Sequence, residues 1–334
     1  MMKKGDTVDS SSPNQADASF IELTVRVFGW STLGILVAFL LNNYLTFWAG
    51  WPGVLGDGGE SDRVLSSLQA GLYLAAVMVA LLQVLRNPSR SLQLESKKIS
   101  ELNSFLIRAA FWSVLLIGLV DMSLALLEVE QLLQDVFGKT LALDLVKQKF
   151  RGQYIHFPLI VLSLVIASFT RALGFPWLAL LLVMVELLIV MSRFIFSYEQ
   201  TYMSDLARFW YAALFLLACA DTLREDGHVR VDVLYAGFTS RTRGQVNSFG
   251  TLFFGMSFCW VILVIGTAGK FSIFNAALFS LEKTDTGYGM YVQYFMTLLL
   301  GVFAILMLVQ FVSYLFIVVA RSREGRDDAR VTEA

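Results

Sequence analysis

The chain has 334 residues, 56% of them hydrophobic and only 16% charged. A soluble domain carries about a quarter charged residues, and a mean hydropathy of +0.64 excludes a water-soluble globule as the reading. A net charge of −1 gives no footprint for nucleic acid.

The first two dozen residues are polar, and residues 1–26 read as a disordered cytoplasmic tail. The apolar run that follows is too long for a signal-peptide core and lacks a small-residue cleavage site. It is expected as a retained first span. A membrane helix needs about 20 mostly apolar residues. Eight stretches meet or approach that length, at roughly 27–49, 67–86, 105–127, 154–171, 176–197, 204–222, 245–269 and 289–320. The fourth and fifth share one apolar run. Arg171-Ala172-Leu173-Gly174-Phe175-Pro176 breaks it, because Gly and Pro interrupt helices and a charge resists the bilayer core. The expected fold is therefore an all-α integral membrane protein of about eight transmembrane helices.

Lys and Arg favour cytoplasmic loops. With both termini inside, most of the 26 basic residues fall on the cytoplasmic side, among them Lys97, Lys98, Arg241, Arg243, Arg321 and Arg323. The outer loop 128–153 is the exception, with Lys139, Lys147, Lys149 and Arg151. Its Leu132, Leu133, Val136, Phe137 and Leu141 form an amphipathic pattern that suits the membrane surface.

Enzyme motifs are absent. FGKT at 137–140 is not a phosphate loop, since Leu133 stands where the first glycine belongs. The sequence has two histidines without paired ligand spacing, and Cys219 and Cys259 sit in apolar runs, so neither a metal centre nor another cofactor is expected. Charges within spans are costly and often functional. Glu186 lies in mid-span. It reads either as an ion or proton ligand or contact to a partner helix, or as a hydrogen-bonded packing residue. Asp121 has the same two readings. Asp205 and Arg208, three apart, suggest an interfacial ion pair, with Arg193 joining them or snorkelling to headgroups. Asp221 is a further candidate contact. Trp177, Trp210 and Trp260 suit an interfacial aromatic belt.

In DGHVRVDVLY, 226–235, the polar His228, Arg230 and Asp232 alternate with valines. That is a period of two in an otherwise helical chain. An isolated strand cannot sit in lipid, so this segment belongs at the inner water boundary. Pattern alone also fits a charged connecting loop.

The run RFWYAALFLLACADTLREDGHVRVDVLY, 208–235, resembles the small permease (DctQ-like) subunit of tripartite ATP-independent periplasmic (TRAP) transporters. The resemblance continues through SRTRGQVNSFGTLFF, 240–254, and SLEKTDTGYGMYVQYFMTLLLGVFAILMLVQ, 280–310. It is nearest to the mannitol and chloroaromatic branch. It implies a four-span subunit at 172–322, preceded by an unusual four-span extension at 27–171 and followed by a cytoplasmic tail at 323–334. It further implies a bacterial inner-membrane scaffold without catalytic role. Gly227, His228, Arg230 and Asp232 are its motif residues, and Asp205 stands where the family usually has a glutamate. The implied partners are a large permease subunit, which carries the sodium and organic-acid sites, and a periplasmic binding protein. A self-sufficient secondary carrier and a membrane sensor or assembly factor are the competing readings.

Overall fold

The computed structural model describes residues 13–56, 59–88, 90–171, 175–224, 235, 237–281 and 289–333. All the secondary structure of these residues is helical. In chain order the helices are α1 (Pro13–Phe47), α2 (Glu60–Arg86), α3 (Leu92–Val129) and α4 (Leu133–Leu145). They continue with α5 (Gln148–Phe169), α6 (Phe175–Phe196), α7 (Thr201–Arg224) and α8 (Thr242–Gly266). The short α9 (Ile273–Ser280) and the long α10 (Gln293–Glu333) complete the chain. Eight of them, all but α4 and α9, are long and apolar enough to cross a membrane.

These eight coincide with the eight apolar runs of the sequence, and the differences lie at the ends. Helix α1 begins at Pro13 and α10 runs on to Glu333, where polar tails are expected. Apolarity reports which residues lipid accepts. Helix hydrogen bonds close just as well in polar stretches beyond the bilayer.

The chain forms two compact units, each drawing residues from both sides of position 171. The first comprises residues 1–97, 238–248 and 312–334. Here α1 and α2 form an antiparallel pair, brought so close at Gly34 that an added Cβ would lie 3.1 Å from the Ala76 carbonyl oxygen. The acidic Glu60 and Asp62 open α2 and Arg86 closes it, matching charge to the helix dipole. Ser96 and Ser313 each donate to the other's backbone carbonyl at 2.8 Å, a way for small polar side chains to join apolar helices.

The second unit comprises residues 98–237 and 249–311. Its α4 is the amphipathic stretch of the sequence, bent at Gly138, whose φ of 77° is a left-handed value that glycine adopts freely. Leu133, Ala142 and Leu145 of α4 pack with Leu124 of α3. Val136, Phe137, Leu141 and Leu143 stay exposed.

Helix α5 carries a π-helical turn, Arg151–His156, just after its first three residues. The cause lies just downstream. Pro158 has no N–H to give to the carbonyl of Tyr154, and its ring crowds that carbonyl. The chain widens immediately before it.

Candidate functional site

The second unit holds a buried polar cluster built from α3, the π turn of α5 and the start of α10. Asp121 and Glu128 are seven apart on α3, two helical turns, so they share a face. On an α-helix, residues five apart point roughly 140° away from each other, from the 3.6-residue turn. The wider π turn reduces that divergence and aims Arg151 and His156 at the same carboxylate.

Asp121 Oδ1 accepts from Arg151 Nη1 at 3.1 Å and faces His156 Nε2 at 3.3 Å. Arg151 also donates through Nη2 to Glu128 Oε2 at 2.9 Å and through Nε to the Leu145 carbonyl at 2.5 Å. Its guanidinium lies over the Tyr291 ring, 4.1 Å from the centroid. His156 Nδ1 is 2.6 Å from the Tyr294 hydroxyl, and the two rings stack. The side chains of Asp121, Arg151 and His156 are all 0% exposed. Buried charges persist only when paired and hydrogen-bonded, and each of the three nitrogens of Arg151 donates to protein.

The cluster continues into the backbone ahead of α10. Asp121 Oδ2 accepts the Tyr291 N–H at 2.6 Å, and Asp205 Oδ2, from α7, accepts the neighbouring Met290 N–H at 3.1 Å. Two carboxylates from different helices thus bracket consecutive amides near a helix N-terminus. There the dipole favours negative charge and the first amides lack helical partners. The Tyr291 hydroxyl donates to the Val146 carbonyl at 2.7 Å, tying the α4–α5 link to the same place.

Chemically this is an anchor. Among the described residues no group of three or more His, Cys, Asp or Glu side chains gathers as metal ligands. The guanidinium of Arg151 is already committed to two carboxylates and a carbonyl. A second buried pair lies in the other unit. Arg26 donates in fork geometry to both Glu95 oxygens, at 2.7 and 3.1 Å, and to the Asn87 carbonyl. Trp30 Nε1 donates to Glu95 as well.

The residues singled out from sequence are distributed unequally. Asp121 is the hub, and Asp205 is buried beside it at the Met290–Tyr291 segment. Arg208 is exposed, whereas Asp205 is buried and accepts the Met290 amide. Arg193 pairs instead with Glu199, at 3.3 Å. Asp221 pairs with Arg224 at 2.8 Å, and Arg224 also donates to the Ser104 hydroxyl. Glu186 is exposed on α6. Gly227, His228, Arg230 and Asp232, with the period-two segment around them, lie outside the described residues.

Sequence reasoning passed over Arg151, His156, Tyr291 and Tyr294. Arg151 reads as a loop cation, because a charge count weighs a residue without its neighbours. The available signal was Pro158, which marks an irregular turn at the mouth of a span.

Aromatic packing completes the site. Trp210 of α7 is buried against Gly118 of α3, where an added Cβ would collide with indole Nε1. Outside the spans, the Tyr198 hydroxyl donates to Glu130 Oε1 at 2.6 Å. That bond holds the phenol above its usual ionisation range, with the neighbouring Tyr202 hydroxyl adding to the shift.

Residues 180–320 match the family described as "Tripartite ATP-independent periplasmic transporters, DctQ component". No curated protein and no solved structure matches the chain. The match takes in α7, α8, α9, Asp205 and the Met290–Tyr294 segment, while Asp121, Arg151 and His156 precede it. The buried cluster therefore joins residues inside the matched stretch to residues outside it.

Proposed function

We propose that the chain is the small membrane subunit of a TRAP transporter, part of the fixed scaffold against which a large permease subunit moves its substrate. The family match over residues 180–320 carries this reading. The eight apolar helices agree with a multi-pass protein of the bacterial inner membrane, with both termini cytoplasmic on the distribution of Lys and Arg. In this reading a periplasmic binding protein delivers an organic acid or related small solute, and the large subunit couples its uptake to sodium. His228, Arg230 and Asp232 organise the inner mouth.

The four-span extension before residue 172 widens the scaffold. Its support is the Asp121–Arg151–His156 cluster, which grips the start of α10 from helices that precede the family match. A scaffold needs rigidity, and a fully satisfied buried network supplies it.

The test is co-expression with a large permease, detergent purification through a tag on this chain, and reconstitution with a binding protein. Stable co-purification and uptake that needs all three components are expected. Uptake by this chain alone in proteoliposomes would instead favour a self-sufficient carrier. A chain that stays monodisperse and never retains the permease would reject the subunit reading.

A further inference from the structure

Glu186 occupies an unusual position. It lies 11 residues after Phe175 and 10 before Phe196 on α6, about 15 Å along the axis from either end at 1.5 Å per residue. In a hydrocarbon core about 30 Å thick that is the middle. A glutamate side chain spans only a few ångströms, so it cannot snorkel to headgroups as Lys and Arg do near span ends.

The side chain is exposed, and no hydrogen bond or ion pair reaches it among the described residues. Helix α6 is the least covered span, with 11% of its apolar window buried. Its inward residues are Leu178 and Val185, while Val183, Leu187, Val190 and Phe194 are exposed. At 100° per residue, Glu186 lies about 60° from Val183 and about 40° from Val190, on the same outer side of the helix. A carboxyl group facing lipid at this depth is costly.

From this geometry we infer that the Val183–Glu186–Val190 face of α6 seats a transmembrane helix of the large permease subunit, which presents a hydrogen-bond donor to Glu186 at mid-bilayer depth. This rests on the small-subunit reading. The face lies within residues 180–320, the stretch that matches the small-subunit family, which in this reading is the part of the chain that meets the large subunit. The cation on this face, Arg193, lies seven residues away, about 10 Å along the helix, and is paired with Glu199. The donor must come from a different chain.

The test uses the full chain co-expressed with the large permease. Glu186→Gln keeps a polar partner and retains the permease. Glu186→Leu shortens the complex lifetime in detergent roughly three- to twentyfold, the range spanned by interhelical hydrogen bonds in membranes. The melting midpoint of the chain purified alone is unchanged in both variants. Photoreactive p-benzoylphenylalanine at Val183 or Val190 cross-links to the permease. If the unaltered chain retains no permease, the subunit reading falls, and this seat with it. If it does, but Glu186→Leu holds the permease equally long, the seat alone is overturned. Cross-links only to lipid or to a second copy overturn it as well.

Discussion

The carboxylate of Asp121 accepts the backbone N–H of Tyr291 at 2.6 Å, across 170 positions of sequence. A side chain before the family match thereby fixes main chain within it, and residues 98–171 share a packed unit with residues 249–311.

Breaking that cluster has a definite expected outcome. Asp121→Asn leaves Arg151 buried with one carboxylate fewer, and removing one member of a buried pair costs about 3–5 kcal/mol. Arg151→Met does comparable damage by leaving Asp121 without its guanidinium. The double variant is expected to lose less than the two single losses combined, since neither charge remains to be stranded. Unfolding titrations in mixed detergent micelles measure all four corners of this cycle. Strict additivity would show that the two groups act independently.

Asp205 and Arg208 give a second contrast. Asp205 is buried and accepts the Met290 N–H, so Asp205→Ala removes that acceptor. Losing a buried hydrogen bond costs about 1 kcal/mol or more. Arg208 is exposed, and Arg208→Ala is expected to stay within about 0.5 kcal/mol. Equal losses in the two variants would favour the ion pair that spacing suggests.

How far the fold was legible depended on the physical signal behind each feature. Spans declare themselves by length and apolarity, because lipid filters each residue separately. The amphipathic α4 was visible for a similar reason, although Leu133 turned out to pack inward while Val136 and Phe137 face out. The polar cluster was not visible beyond Asp121. Its members come from four parts of the chain, and two of them meet one carboxylate only because a π turn re-aims Arg151 and His156. Regular helical periodicity separates those two residues. For Asp205 and Arg208, spacing placed the two residues near each other without revealing which one is buried.

Gly118 is expected to be irreplaceable at its crossing. A Cβ there would strike the buried indole of Trp210, a rigid group that cannot swing aside, and overpacking of this kind costs about 1–3 kcal/mol. Gly71 on α2 supplies the control, because nothing lies within 4 Å of its would-be Cβ. There an alanine gains helix propensity, up to about 1 kcal/mol. Melting midpoints of Gly118→Ala and Gly71→Ala should therefore move in opposite directions.

The Tyr198–Glu130 bond predicts a dependence on alkaline pH. Its donor is the phenol proton, and the folded state holds that proton more tightly than the unfolded chain does, where tyrosine ionises near pH 10. A group whose folded ionisation is raised contributes its full stability below the unfolded value. The contribution begins to fade above about pH 10 and disappears once pH passes the raised folded value. Tyr198 is only partly buried, so the bond is worth about 0.5 kcal/mol at neutral pH, at the low end for hydrogen bonds. Tyr198→Phe removes it. The unaltered chain should melt above the variant at pH 8, and the gap should narrow as pH rises beyond 10. A gap that is constant across that range would mean that Tyr198 contributes by packing and that its hydrogen bond to Glu130 adds nothing to the folded state.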